Sequence, residues 1–311
     1  MPLDLENLCC PRCRVPLPRL SAWPESGGQC PRCQELFPRV RDIVRFVPTD
    51  AYVGSFSFEW TVHAQTQLDD MFHHESEQTF RAKTGLTPTD VEGRLILDVG
   101  CGMGRFADVV SRWGGRVVGV DLSRAVDAAQ ANIGERRNVV IFQADCFRLP
   151  FTHGTFDLIY SIGVLHHTPD CAKAFQALIP FLKPGGTIAV WVYGHMGLWG
   201  QVADVYRQVT TRLPHRLLYG MCQVADPLFY VHRLPIIGLV TRTLLPTSMH
   251  PRPAWRVLDT FDWYSPTFQS KHSPVEVKGW FRAAGLADVR ELDVPVAVRG
   301  RLPASGARDA Q

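Results

Sequence analysis

The sequence predicts an α/β fold: a doubly wound, mainly parallel sheet with helices on both faces. Three observations carry this. The run LILDVGCGMG at 95–104 is a strand that stops at Gly100, Gly102 and Gly104. Two further apolar, β-branched runs, RVVGVD and VVIFQAD, end in Asp121 and Asp145, as strands do when they open onto a ligand. Finally, 311 residues at 46% hydrophobic suffice to bury a full α/β core and leave room for appended elements.

The chain opens with two CxxC knuckles. Cys10-Pro-Arg-Cys13 and Cys30-Pro-Arg-Cys33 have sixteen residues between them, within the spacing of structural zinc sites. Four thiolates so placed surround one tetrahedral Zn²⁺, which makes residues 1–48 a zinc ribbon. Two disulfides or a redox CxxC are the competing readings; a cytosolic chain disfavours the first and the repeated pair the second. Cys9 adjoins Cys10, but only Cys10 gives the two-residue spacing. So short a segment buries little core, and the metal supplies most of its folding energy.

In the stretch from 49 to 94, Phe56, Phe58 and Trp60 alternate rather than recur at helical spacing, whereas residues from Gln65 onward look helical. Phe58 or Trp60 is a candidate cap over a ligand, with burial as plain core equally open. His63, His73 and His74 read as surface or packing residues.

At the glycine loop, Gly100 and Gly102 accept positive φ and carry no Cβ, so a ligand can lie against the main chain where the next helix starts. A dinucleotide fingerprint needs glycine where Arg105 stands, so that reading fails. Asp121 lies about twenty residues past the loop, where an acidic side chain meets ribose hydroxyls. A fourth strand, FDLIYSIGVLHH, ends in a polar turn, and LKPGG precedes a fifth, TIAVWVYG. These five motifs, in this order and with these gaps, resemble the class I S-adenosylmethionine-dependent methyltransferases, in particular the type 11 group.

The resemblance implies a Rossmann-like, seven-stranded sheet over 49–193 and 273–300, with S-adenosylmethionine as cofactor. Asp121 is then expected to accept from both ribose hydroxyls, and Asp145 from the adenine amino group, with the Cys146 N–H donating to the ring. Gly100, Cys101, Gly102 and Gly104 admit the methionine tail, with Asp98 near its ammonium and Arg105 near its carboxylate. Leu122 and Ser161 complete the cofactor set. For the carboxylates, the competing reading is a strand-end cap or a surface charge.

Methyl transfer is an in-line displacement at a carbon activated by the sulfonium, and a base is needed only when the nucleophile carries a proton. His166 and His167, at the end of the fourth strand, are the candidate bases, with His272 a third catalytic candidate. Alternatively the pair shapes the turn, since Thr168-Pro169-Asp170 has the signature of a helix start.

The last helix is expected at 273–286, followed by strands near ADVREL and VPVAVRG, which leaves residues 194–272 as a helical insertion over the substrate. Its apolar stretch DPLFYVHRLPIIGLVTRTLL is too short and too interrupted to span a bilayer; it fits an apolar or lipid-linked substrate, a membrane surface, or plain packing. Tyr193, Asp262, Tyr264, Gln269 and His272 are the candidate substrate contacts, a set suited to a hydroxylated or sugar-like acceptor. His195 is a weaker one. Residues 301–311 are expected to be a disordered tail.

The amino-terminal segment is similar to the small zinc-ribbon proteins that activate tRNA and translation-factor methyltransferases, and to the zinc finger of ribosomal RNA guanine methyltransferases. Here it is expected to be a folding staple rather than a recognition finger. The expected activity is methylation, most readily at oxygen, of a small molecule. The alternatives are an RNA base methyltransferase and a non-catalytic cofactor-binding module. A net charge of +3 and no obvious basic stripe count against nucleic acid; the intact loop and acidic strand ends count against the module. Met1 to Leu8 lacks the basic head and apolar run of a signal peptide, so a cytoplasmic location is expected.

Overall fold

A computed structural model describes residues 3–48, 51–69 and 74–304. Its sheet runs through β1 Gly27–Gln29, β2 Leu36–Val40, β3 Ile43–Arg45, β4 Leu95–Val99, β5 Arg116–Asp121, β6 Val139–Gln143, β7 Phe156–Ile162, β8 Leu182–Trp191, β9 Ala287–Glu291 and β10 Ala297–Arg301. The helices are α1 Gly54–Val62, α2 Glu75–Thr84, α3 Pro88–Val91, α4 Arg105–Arg112, α5 Ala125–Ile133, α6 Cys171–Leu178, α7 Gly197–Thr210, α8 His215–Cys222, α9 Ala225–Val231, α10 Ile237–Leu244, α11 Pro253–Tyr264 and α12 Pro274–Ala283.

Strand order is β1-β2-β3-β6-β5-β4-β7-β8-β10-β9. The central run from β6 to β8 is parallel, and the antiparallel pair β10-β9 closes one side. This is the doubly wound order, with its switch point between β4 and β7, where ligands of such sheets bind. Leu97 and Val99 of β4 face a core shared with α6 and α12, and Ile96 faces one shared with α2, α4 and α5.

The sheet has ten strands rather than the expected seven, because the ribbon is built into it. An edge strand leaves its main-chain groups unpaired, and β3 satisfies those of β6 by lying parallel to it, Val44 opposite Phe142. The Phe46 N–H continues the ladder to the Gln143 carbonyl at 2.8 Å, and the Arg45 guanidinium donates to the side chains of Gln143 and Asp127. On the other flank, the Arg14 guanidinium donates to the carbonyls of Leu149 and Phe151 at 2.7 and 2.6 Å. The Cys9 thiol donates to the Phe151 carbonyl, which gives that cysteine a role apart from the knuckles.

Aromatic rings join the two cores. Trp23 meets Phe37, Phe37 meets Phe46 at 4.9 Å, Phe46 meets Phe142 at 5.7 Å, and Phe142 leads through Phe151 to Phe156. Ribbon and catalytic core therefore form one continuous apolar cluster.

Two other expectations change. Residues 54–62 form helix α1 and not an extended strand, because Phe56 and Trp60 are four apart and share one face, while Phe58 lies round the axis. The tail cannot start at 301, since Arg301 ends β10 and the Leu302 N–H donates to the Gly186 carbonyl. Residues 305–311 of that tail, and His73, lie outside the described residues. Helices α7–α11 occupy the stretch between β8 and α12, and α7, α8 and α11 share a small core around Leu218 and Phe261.

Phe46→Ala is expected to cost about 3–5 kcal/mol of unfolding free energy, because its ring links both cores. Urea denaturation followed by circular dichroism measures it, and a loss below about 1 kcal/mol would separate the ribbon from the catalytic core energetically.

Candidate active site

At the carboxyl ends of the strands lies a cleft of about 530 Å³, walled by the glycine loop, the tips of β5 and β6, α1, α2 and α11. The loop is tied down from β5. The Gly100 and Cys101 N–H groups both donate to the Val120 carbonyl, at 2.7 and 3.0 Å, and the Gly102 N–H donates to Asp121 Oδ2 at 2.9 Å. Gly100 has φ +78°, and a Cβ there would fall 2.3 Å from the Val164 side chain. Over Gly102 stands the Trp60 indole, which an added Cβ would touch at 3.5 Å.

Asp121 Oδ1 accepts from the Ser123 N–H and hydroxyl at 2.8 and 2.6 Å, so the carboxylate is fixed from behind while it lines the cleft. Burial pushes its pKa up, and those hydrogen bonds oppose the rise. Asp145 also lines the cleft and caps the turn at Cys146–Arg148 by accepting from the Phe147 N–H at 2.9 Å. Leu122, Cys101, Cys146 and Arg105 join the same wall. The Arg105 Nε donates to the Ser76 hydroxyl at 3.0 Å, and its guanidinium lies against the Trp255 ring.

Three expected cofactor residues do not reach the cleft. Successive strand side chains alternate, so with Val99 turned to the cleft, Asp98 is turned away beneath the loop, toward Tyr160 and the Ala107 N–H. Its Oδ2 is buried without a hydrogen-bond partner, and burial raises its pKa to about 7. Ser161 gives its hydroxyl to the Val99 carbonyl at 2.9 Å, one residue short of the lining Ile162. Gly104 is the N-cap of α4, where a Cβ would meet Ile133 at 2.9 Å; its part is helix packing.

The histidine pair divides. His167 lines the cleft, and its Nδ1 lies 3.0 Å from the Phe268 carbonyl. A carbonyl only accepts, so Nδ1 holds the proton of the neutral ring and the buried Nε2 keeps its lone pair, with no partner among the described residues. Burial lowers the His167 pKa, which favours that neutral form. His166 points the other way, fully buried and stacked 3.9 Å from Tyr193, with neither ring nitrogen bonded, and is not a wall of the cleft. His272 is occupied on both sides, by Glu276 and Ser270 at 2.8 Å each, and is also excluded.

Of the substrate candidates, Tyr193 and Asp262 come together: the tyrosine hydroxyl donates to Asp262 Oδ2 at 2.6 Å, and both line the cleft. Tyr264 turns away to donate to the Pro246 carbonyl. Gln269 stands outside because the segment around it is held to the histidine turn through its main chain, by the Phe268 carbonyl and the Ser270 N–H. His195 is exposed and His63 is packed against Tyr219. Phe58 belongs to the cap core with Phe261 and Tyr219, which leaves Trp60 as the ring over the loop.

Apart from Asp262, sequence reasoning missed a second group of walls. Trp255, Leu258, Asp259, Asp262 and Trp263 form one stripe of α11 at i, i+3, i+4, i+7 and i+8, a spacing legible in the sequence that marks a single helix face. Facing them are Glu59 and Lys83. Glu59 is 1% exposed with Oε2 unpartnered; burial first, then Asp262 and Asp259, raises its pKa well above the usual range. The Lys83 ammonium sits 3.2 Å from the Trp191 ring centroid, and burial brings its pKa down to about 7. Asp259 is raised to about 6, again chiefly by burial.

In the ribbon the four knuckle sulfurs converge. Cys10 and Cys33 lie 3.5 Å apart, as do Cys13 and Cys30, and all four sulfurs lie within 4.8 Å of one another. A tetrahedron of Zn–S bonds has sulfur edges of about 3.8 Å, so the cage fits that ion. Both knuckles take the same path: the Arg14 N–H returns to the Cys10 carbonyl and the Gln34 N–H to the Cys30 carbonyl, each with φ of 61°.

Residues 97–190 match the family model described as a methyltransferase domain. The chain is similar to the chloroplastic tocopherol O-methyltransferase of Arabidopsis thaliana, 32% identical over 149 residues, covering 43% of this chain and 42% of that one. It is similar also to the ubiquinone biosynthesis O-methyltransferase of Albidiferax ferrireducens, 36% identical over 110 residues, covering 33% and 41%. It thus spans less than half the length of these two curated relatives. Among solved structures, the S-adenosylmethionine-dependent methyltransferase of Mesorhizobium loti aligns with a TM-score of 0.44 at 20% identity, over 73% of this chain and 98% of that one. The chain carries a class I, S-adenosylmethionine-dependent methyltransferase domain.

The buried Asp98 makes stability depend on pH. Its carboxyl ionises near 3.8 when unfolded and near 7 when folded, so stability falls as pH rises through that window. Asp98→Asn is expected to remove this component. Urea midpoints at the two ends of the window should show the variant gaining on the parent at the higher pH; parallel curves would contradict the buried acid.

Proposed function

We propose that this chain methylates a hydroxyl group of a small-molecule acceptor bound in the cleft between the glycine loop and α11. The observation that carries the reading is His167 on the cleft wall, whose Nδ1 is anchored on the Phe268 carbonyl and whose buried Nε2 has no partner among the described residues. Bound at the loop, S-adenosylmethionine supplies a methyl carbon already activated by a sulfonium. The remaining work falls to the protein. Asp121 and Asp145 hold the ribose and adenine, and the Gly100–Gly102 main chain and Arg105 receive the amino-acid tail. Trp60 closes over the loop and excludes water. His167 Nε2 takes the proton of the acceptor hydroxyl as the oxygen attacks, and the Tyr193–Asp262 pair orients that hydroxyl. A hydroxylated, sugar-like or lipid-linked acceptor fits the mixture of tryptophan faces and carboxyl groups on the far wall.

We further propose that Cys10, Cys13, Cys30 and Cys33 hold one Zn²⁺ as thiolates, a chemistry suited to the reducing cytoplasm. The ribbon acts as a brace rather than a nucleic-acid grip: its strand β3 is committed to β6, and its aromatic rings are committed to the core.

Two measurements test the reading. Asp121→Ala should abolish calorimetric binding of S-adenosylmethionine with the fold intact, whereas His167→Gln should keep that binding and lower turnover about 10²–10⁴-fold. Turnover is read by transfer of labelled methyl into the small-molecule fraction of a cell extract; label confined to RNA would overturn the assignment. Elemental analysis should find about one zinc per chain, and chelation should unfold the ribbon; a folded, metal-free ribbon would exclude the site.

A further inference from the structure

The cap carries an apolar face that nothing in the described chain covers. Fifteen of the twenty large hydrophobic side chains that stand exposed among the described residues fall within 198–245. They are spread over α7–α10 and include Val205, Val209, Leu217, Met221, Ile236 and Leu239, the last two 84% and 75% exposed. Single exposed aliphatic residues are ordinary; a concentration of this kind marks an interaction surface. The inner sides of α7 and α8, with Ala203, Leu218 and Cys222, already hold the cap to α11. The outer side chains are not part of that core.

Charge selects the occupant. Arg212, Arg216, Arg233 and Arg242 are exposed in the same stretch. Arg212 and Arg216 form no ion pair among the described residues, Arg233 lies against the Phe229 ring, and the Arg242 Nε donates to the His232 carbonyl. The two carboxylates of the stretch, Asp204 and Asp226, are held by Lys271 and Arg256. Uncompensated arginines among aliphatic side chains repel a second copy of the same face. They match the headgroup layer of an anionic bilayer, where guanidinium groups meet phosphates while the aliphatic groups enter the acyl boundary. No helix among the described residues is long and apolar enough to cross a membrane, so contact of this kind lies in the plane of the surface.

We propose that the outer face of α7–α10 docks peripherally on anionic phospholipid membranes. The docking rests on this face alone and does not depend on which acceptor the cleft takes.

The test is co-flotation of the full chain with vesicles of phosphatidylcholine alone or with about one part in three of phosphatidylglycerol. Binding to the anionic vesicles is expected to be at least about tenfold tighter and to weaken with salt. Arg212→Glu with Arg216→Glu should lower it about tenfold or more. Ile236→Glu with Leu239→Glu should reduce it to the level of neutral vesicles, each pair keeping the parent's thermal melt. Absent binding, or equal binding to both vesicles, would overturn the proposal. So would a dimer seen by light scattering without lipid that Ile236→Glu with Leu239→Glu dissociates, which would make the face a self-association surface.

Discussion

The Asp121 carboxylate, at the tip of β5, is bonded on one oxygen to the Gly102 N–H and on the other to Ser123. Much of the cleft depends on this arrangement. It joins two neighbouring parallel strands at their carboxyl ends, and with the Val120 carbonyl it fixes the loop that starts α4. A side chain that is half-buried and already held by three hydrogen bonds loses little further freedom when a ligand arrives, so the position proposed for the ribose is formed in advance. Val164 packs so tightly against Gly100 that a Cβ there has no room, and the positive φ of Gly100 and Gly102 favours glycine at both positions.

The ribbon extends this rigidity to the Asp145 side of the cleft. β6 ends beside Asp145, and without β3 it would be an edge strand with unpaired main-chain groups. With β3 in place, the Arg45 guanidinium crosses from the ribbon to Gln143 and Asp127, and Gln143 in turn donates to the Leu122 carbonyl beside Asp121. A short chain of hydrogen bonds thus runs from a metal-type knuckle fold to the Asp121 end of the cleft. A ribbon of this size lacks a core of its own and obtains one by inserting Phe37 and Phe46 into the core of its partner.

The local chemistry of the site was legible because it is written in contiguous motifs. Glycine spacing, acidic strand ends and paired CxxC knuckles each fix a backbone geometry within a few residues, and the loop, Asp121, Asp145 and the thiol cage follow from them. What reads poorly is orientation. Asp98 and Asp121 are both acidic residues at strand ends, yet the pleat turns one away and places the other in the cleft. His166 and His167 are adjacent, and only the main chain of the distant segment at 268–270 determines which ring faces inward. The far wall was hidden for a different reason: Glu59 on α1 and Lys83 on α2 are separated from α11 in sequence by the central strands and most of the helices, and single charged residues on helices ordinarily face solvent.

That far wall shows how the cleft accommodates so many buried ionisable groups. Burial pushes Glu59 and Asp259 toward their protonated forms and Lys83 and His167 toward their neutral ones, so the cleft carries less charge than its residues suggest. A neutralised interior is cheap to fold but polarisable by a guest. A cation entering near Glu59 and Asp259 lowers their pKa and draws them toward carboxylates, whereas an acceptor that brings a proton finds His167 able to take it. By linkage, a cationic guest that draws Glu59 and Asp259 toward carboxylates releases protons on binding and is bound more tightly as pH rises. The same burial that hides these residues from a sequence reading is what makes them responsive to charge that appears only when the cleft is filled.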